Sequence, residues 1–333
     1  MIERTRILTT RTTDPFLNLA LEEFLLDHLQ PQECILYLWQ NQNTVVIGRH
    51  QNPWRECKVE ELEGEGGRLA RRISGGGAVF HDLGNLNFTF LLPRADYDLT
   101  RQLQVIVAAA RLLDIQAEQS GRNDITVDDR KFSGNAFHLR RDQAFHHGTI
   151  LVSVDMSKLG RYLQVSAEKM RSKGVQSVAA RVANLAEFRT GLTIAETVEA
   201  LKVAFQQTYC PASVCEEAET YHDHPEVIAL RERYASWEWR FGQTPPFDVE
   251  WQTRFPWGGL DLCLCLDGGR IASATIYSDA MDERFIADLG SALVDRTYQA
   301  DDVLGAVHQI EVEPDSEPFR QDVSTWLAEV LPP

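Results

Sequence analysis

The run Arg71-Arg72-Ile73-Ser74-Gly75-Gly76-Gly77-Ala78-Val79-Phe80-His81-Asp82 carries two guanidinium groups into three consecutive glycines and on into an apolar, strand-like segment. Glycine keeps no side chain between backbone and ligand and permits φ > 0 without strain. Consecutive N–H groups in such a turn can converge on an anion, and an arginine fork matches carboxylate or phosphate. Two known phosphate loops are excluded. No Lys-Ser or Lys-Thr follows at P-loop distance, and Gly75-x-Gly77 leads to Ala78-Val79-Phe80 rather than to a third glycine and a helix start. Alternation along the strand turns Arg71 and Arg72 to opposite faces, so only one of the two is assigned to a ligand.

Outward from this run, strand and helix signals mix without a βαβ rhythm. Asp14-Pro15 reads as an N-cap with proline at the first helical position, and Phe16, Leu19, Ala20, Phe24 and Leu25 follow at helical spacing. Segments 35–39 and 44–47 read as strands around Asn41-Gln42-Asn43, and Asn52-Pro53 opens a short acidic helix. Segments 68–73, 78–80 and 86–92 are further strands, and 101–113 is an apolar-faced helix. Segments 124–127 and 132–137 flank Asp128-Asp129 as a hairpin, 149–154 is another strand, and helices dominate from 167 to about 209. This pattern predicts an α+β fold: a large domain of mixed, mostly antiparallel sheets with packed helices, and a small α+β C-terminal domain. The boundaries expected are 1–243, a linker at 244–253 containing Pro245-Pro246, and 254–333, with two strands around Asp267-Gly268-Gly269.

Composition narrows the function. The 333 residues are 44% hydrophobic and 25% charged with a net charge of −16, ordinary for a globular protein and opposed to general polyanion binding. Neither nucleic acid nor membrane is an expected partner. The six cysteines (34, 57, 210, 215, 263 and 265) form no Cys-x-x-Cys pair, and Cys263 and Cys265 alternate with leucines on one strand. The first residues lack an apolar signal region and no apolar stretch reaches the length of a membrane span, so the expected compartment is the cytoplasm.

Two further constellations carry chemistry. Gly121-Arg122-Asn123-Asp124 precedes Arg130-Lys131-Phe132-Ser133-Gly134-Asn135-Ala136, which places Asp124 across a hairpin from Lys131. The small residues 133, 134 and 136 leave room beside the lysine. Asp124 could hold Mg²⁺ or orient the lysine, and an ammonium there suits charge that grows during acyl-adenylate formation. In Phe145-His146-His147-Gly148-Thr149 the adjacent histidines point to opposite faces of a strand, so they do not chelate one metal. No cysteine lies in these segments and Ser74 is not in Gly-x-Ser-x-Gly order, which favours positioning and electrostatics over a covalent enzyme intermediate.

With these motifs assembled, the chain resembles the lipoate–protein ligase A family over essentially its whole length. The resemblance rests on 71–82, 121–124, 130–136 and 145–149, and also on Asp14 to Ala20, Val45 to Arg49, Asn52-Pro53-Trp54 and Arg181 to Leu185. Ser236 to Trp239 and Phe255 to Gly259 extend it to the domain junction. It implies ATP-dependent ligation of free lipoate to an acceptor lysine through lipoyl-AMP, with Mg²⁺. By position, Arg72, Gly77, Ala78, Val79, Phe80, Asn85, Asp124 and Lys131 are expected at ATP or the adenylate. Glu22, Arg72, Ser74, His147 and Lys131 are expected at lipoate. Lys131 is the expected catalytic residue and Asp124 the expected Mg²⁺ contact. Segment 169–175 resembles the family's mobile loop over the adenylate, while Ala179-Ala180 stand where the family carries Arg-Ser. The implied acceptors are lipoyl domains of 2-oxoacid dehydrogenase E2 subunits and the glycine cleavage H protein, and the enzyme is expected to be a monomer. The rival readings are an ATP-independent octanoyl or lipoyl transferase of the same superfamily, a biotin–protein ligase, and a non-catalytic lipoate-binding protein.

Overall fold

Side-chain alternation and turn chemistry set out the strands on which the helices pack. The computed structural model describes residues 2–120, 124–164, 182–210, 212–241 and 248–331. Fourteen strands occur among them: β1 Arg4–Thr9, β2 Glu33–Trp39, β3 Thr44–Ile47, β4 Arg68–Arg71, β5 Val79–His81, β6 Asn85–Pro93, β7 Glu118–Ser120, β8 Asp124–Val127, β9 Arg130–Leu139, β10 Gln143–Leu151, β11 Val214–Glu217, β12 Val249–Phe255, β13 Gly258–Asp267 and β14 Arg270–Ser278. They form an eight-stranded sheet in the order β11-β1-β2-β6-β10-β9-β8-β7 and two three-stranded sheets, β4-β3-β5 and β12-β13-β14. In the large sheet β1 pairs in parallel with β2 and β11, and the other pairings are antiparallel.

The chain divides into two compact units, one of Met1–Val46, Pro53–Arg72 and Val79–Arg240, the other of Ile47–Asn52, Ile73–Ala78 and Phe241–Pro333. The second unit therefore includes the glycine run, which the sequence reading places in the large domain. The stretch 244–253, read as a linker, contains five of the seven residues of β12, and 242–247 lie outside the described residues.

In the first unit, one face of the large sheet buries Phe88, Phe90, Leu36, Ile125 and Phe132. They pack with Leu103, Val105 and Ile106 of the helix Leu99–Leu112 and with Leu201, Ala204 and Phe205 of the helix Ile194–Thr208. The helix Pro15–Asp27 packs against β6 and β10. Asp14 caps it by accepting from Phe16 N at 3.1 Å, with Pro15 in the first turn. This helix buries two adjacent acids, Glu22 and Glu23, and a buried carboxylate is tolerated only with partners. Glu23 takes Arg233, Arg140 and the Tyr234 hydroxyl. Glu22 looks elsewhere.

The β8–β9 hairpin turns on Asp128 and Asp129, with φ 49° and 59°. Two successive positive φ values match the primed hairpin turns that Asp tolerates. In the second unit, β12 to β14 cover the helices Glu283–Leu293, Ala300–His308 and Glu317–Val330 through Leu260, Leu262, Leu264, Phe285, Leu289, Val323 and Leu327. Phe319 stacks on Trp257 at 4.3 Å and 12°.

Candidate active site

Glu22 is the centre of a buried polar group in the first unit. Its Oε1 accepts from Thr89 Oγ1 at 2.6 Å and lies 2.8 Å from His147 Nδ1. Thr89 Oγ1 in turn accepts from Trp39 Nε1 at 3.1 Å. Helix Pro15–Asp27, β2, β6 and β10 thus each contribute one member, and 125 residues separate Glu22 from His147. Arg72 is buried nearby: its Nη1 donates to Val46 O at 3.2 Å, and burial pushes its pKa down to about 10, with Glu22 opposing that shift. It still carries its charge at neutral pH. Arg71 faces away from this group, its Nε and Nη2 donating to Trp239 O and Arg240 O at 2.9 and 2.8 Å. Strand alternation therefore separates the two arginines into a site residue and a clamp on the segment at 239–240.

His81, Asn85 and Asn87 line the same region of β5 and β6. His81 Nδ1 lies 3.2 Å from Asn41 Nδ2, and Asn85 Nδ2 donates to Asn87 Oδ1 at 2.9 Å. Among the described residues, His81 Nε2, Asn85 Oδ1 and Asn87 Nδ2 are buried without a partner. Buried polar atoms in native proteins are nearly always satisfied, so three orphans on consecutive strands suit a bound polar ligand. Because Asn41 donates to Nδ1, the neutral His81 ring carries its proton on Nε2 and offers a donor. Burial, Arg72 and His147 together lower the His81 pKa to about 3.

Lys131 and Asp124 form the second half of the group. Their side chains meet at 2.7 Å, each more than a third exposed. A Cβ built on Gly134 would lie 3.1 Å from Lys131 Nζ and 3.8 Å from Thr149 Oγ1, so the ammonium rests over bare backbone. Thr149 and His147 alternate onto one face of β10, which connects the two halves. The expected room beside Lys131 comes from Gly134. Ser133 is fully buried, because it alternates with Gly134 onto the interior face that Asn135 shares. Phe80 is also buried, 5.5 Å from the Tyr162 ring, so its side chain is packed rather than open. Gly121, Arg122, Asn123 and the segments 169–175 and 177–181 lie outside the described residues.

The second unit holds Ser74, Gly77 and Ala78. Ser74 is fully buried and its carbonyl accepts from Arg49 N at 2.9 Å. Gly76, at φ 89°, donates its N–H to Ala280 O at 2.9 Å, so this N–H does not belong to an open anion cradle. A Cβ on Gly75 would sit 2.4 Å from Ala280 O and 2.7 Å from Met281 O, whereas one on Gly77 would meet nothing within 4 Å. Gly75→Ala is therefore expected to destabilise the protein by about 1–3 kcal/mol through overpacking against backbone. Gly77→Ala should melt at the wild-type temperature and bind ATP more weakly. Paired thermal melts and ATP titrations check both.

Burial pushes the Cys57 thiol up to about 12 and Cys34 higher, and neither touches the groups above. No cluster of three or more His, Cys, Asp or Glu side chains capable of holding a metal occurs among the described residues. His146, fully buried on the far face of β10, has its pKa lowered to about 3 by burial and by His147.

His81 and His146 give the fold a pH dependence with a defined sign. Their folded pKa lies below the ordinary 6.5, so the unfolded chain binds protons first. The stability this represents is complete above pH 6.5 and is lost as pH falls towards 3. Each histidine contributes up to about 1.4 kcal/mol per pH unit in that window. Urea unfolding between pH 7 and 5, where carboxylates stay charged, should show a falling midpoint. A flat profile would contradict the neutral, buried assignment of both rings.

Residues 14–206 match the lipoyl protein ligase A/B catalytic domain, and residues 244–326 match the bacterial lipoate protein ligase C-terminus. These two matches define a two-part lipoyl ligase. A lipoate-protein ligase A from Psychrobacter cryohalolentis is 42% identical over 331 residues, 97% of each chain. The structure of P. falciparum LipL1 in complex with lipoate superposes with a TM-score of 0.86 at 30% identity, covering 98% of this chain and 99% of that one. A lipoate-protein ligase A bound with ATP covers 73% of this chain and 99% of its own, with a TM-score of 0.60 at 27% identity. The chain belongs to the lipoate–protein ligase A family.

Proposed function

We propose that this protein activates free lipoate with ATP and passes the lipoyl group to the ε-amine of a lysine on a lipoyl-acceptor domain. In the first half-reaction a lipoate carboxylate oxygen attacks the α-phosphorus of ATP, and the bond to the β-phosphate breaks to release pyrophosphate. In the second, the acceptor amine attacks the lipoyl carbonyl, an amide forms, the amine proton is lost to solvent, and AMP leaves. The observation that carries this reading is the Lys131–Asp124 pair over Gly134, on the same face as His147 with its Glu22 partner.

Lys131 answers charge on the lipoate carboxylate and the α-phosphate, and Arg72 supplies a second, buried cation. Glu22 holds His147 and Thr89 in place at the lipoate end. Val79, Phe80 and Asn85 serve the adenylate, with the unpartnered Asn85 Oδ1 as an acceptor. Ser74, Gly77 and Ala78, in the second unit, carry their roles from the family resemblance. Mg²⁺ fits as an ion that arrives with ATP. Asp124 would supply an oxygen donor of the hard kind that Mg²⁺ takes. Bound there, the ion would neutralise phosphate charge.

The acceptors proposed are lipoyl domains of 2-oxoacid dehydrogenase E2 subunits and the glycine cleavage H protein, met in the cytoplasm by a monomeric enzyme. Support comes from a bipartite lipoate protein ligase of Thermoplasma acidophilum described together with its E2 lipoyl domain. It covers 75% of this chain and all of its own, with a TM-score of 0.62 at 28% identity. No helix among the described residues is long and apolar enough to cross a membrane. The test is mass spectrometry of an apo acceptor domain. One lipoyl group should appear on one lysine with free lipoate and ATP, and none with octanoyl-carrier protein without ATP. The reverse pattern would make the protein a transferase.

A further inference from the structure

β9 does not alternate regularly. Its pairing with β8 runs Asp124↔Gly134 and Ile125↔Ser133, then jumps to Thr126↔Lys131, leaving Phe132 as an extra residue. Phe132 and Ser133 are both buried, and Phe132 belongs to the core that contains Phe88 and Phe90. The bulge has one consequence for the site. Strict alternation would put Lys131 on the interior face with Ser133 and Asn135, whereas one inserted residue returns it to the face of Gly134.

Behind the sheet, a side-chain chain braces this bulge. Asn135 Nδ2 donates to Ser133 Oγ at 3.3 Å, and Asn135 Oδ1 lies 2.9 Å from His146 Nε2. An amide oxygen can only accept, so His146 donates from Nε2 in its neutral form. Phe90 stacks on the ring at 5.7 Å and 23°, and Phe88 meets it edge-on at 5.4 Å and 82°. Gly148 pairs with Asn135 across the strands. A Cβ there would sit 2.6 Å from both Asn135 Oδ1 and Phe88 Cζ, so glycine leaves the space the amide occupies. The imidazole is thus locked in a neutral donor state and aims Asn135 at the bulge.

We infer that His146 is a positioning residue for Lys131, acting through Asn135 and the Ser133 bulge without touching substrate. The inference rests on the reading of Lys131 as the adenylate-facing cation. The experiment measures binding of a non-hydrolysable sulfamoyl analogue of lipoyl-AMP to the full-length protein by calorimetry, with thermal melts as the folding control. His146→Phe keeps the ring stack and loses the donor, so affinity should fall about 10-fold, the loss of one buried hydrogen bond's worth of order. His146→Gln keeps a donor and should bind within about 3-fold of wild type. In a Lys131→Ala background, His146→Phe should cost no more than about 2-fold, because the two substitutions remove one shared effect. A purely structural histidine would instead give the same 10-fold loss in both backgrounds, which overturns the inference alone. Wild-type affinity in Lys131→Ala by itself overturns the functional reading and the inference with it. If His146→Phe does not fold, Asn135→Ala carries the same predictions through the other half of the contact.

Discussion

Replacing Lys131 by alanine is expected to slow lipoyl-AMP formation by roughly 10²–10³, about 3–4 kcal/mol, the loss typical of one preorganised charge donor. The fold should be unaffected. Lys131 is partly exposed and pairs with Asp124 at the surface of the sheet, and such a pair contributes little to stability. Lys131→Arg should not rescue the rate. A planar fork does not reproduce the compact ammonium that rests over Gly134, where an added Cβ would lie 3.1 Å from Lys131 Nζ. Pyrophosphate release at wild-type rate by Lys131→Ala, with unchanged melting, would remove the lysine from the chemistry.

Glu22→Ala is expected to act through stability as well as through the site. The carboxylate is 1% exposed and joins Thr89, His147 and, at longer range, Arg72. Removing one member of a buried charged group typically costs about 3–5 kcal/mol, because the remaining partners stay desolvated. Glu22→Gln keeps an acceptor for the Thr89 hydroxyl and loses only the charge, so it should fall between alanine and wild type. Denaturant midpoints for the three proteins check the order, and lipoate titration should show the same ranking. Equal stability for Glu22→Ala and wild type would mean that this acid does not organise the lipoate end.

Local signals made much of this legible from residues alone. Asp14-Pro15 capped its helix, Asp128-Asp129 turned its hairpin, and the paired histidines took opposite faces of β10 because strand geometry demands it. Elements with weak local signals were missed. Val214–Glu217 is short, exposed and pairs in parallel with β1, more than two hundred residues away. Val249–Phe255 sits beside Pro245-Pro246 and read as linker, although alternate residues along it are half-buried.

The site was legible as motifs and not as geometry. Glu22 and His147 meet only through tertiary packing, and nothing in either segment marks the other as its partner. His81, Trp39 and Thr89 escaped notice for the same reason, although His81 closes the glycine run two residues beyond Val79, on the same strand face. The β9 bulge is invisible in sequence, since Phe132 is a good strand residue in any register. The glycine run changed most. Its glycines serve different ends: Gly75 for clearance from the backbone at Ala280 and Met281, Gly76 for φ, Gly77 for open space.

The proposed reaction requires an enzyme-bound lipoyl-AMP formed without the acceptor. Full-length protein incubated with free lipoate and α-labelled ATP, then freed of nucleotide by gel filtration, should retain labelled lipoyl-AMP. On addition of apo acceptor domain, that adenylate should be consumed one for one with lipoylated lysine and released AMP. Acceptor lipoylation with no adenylate on the enzyme, or with a covalent acyl-enzyme in its place, would contradict the account.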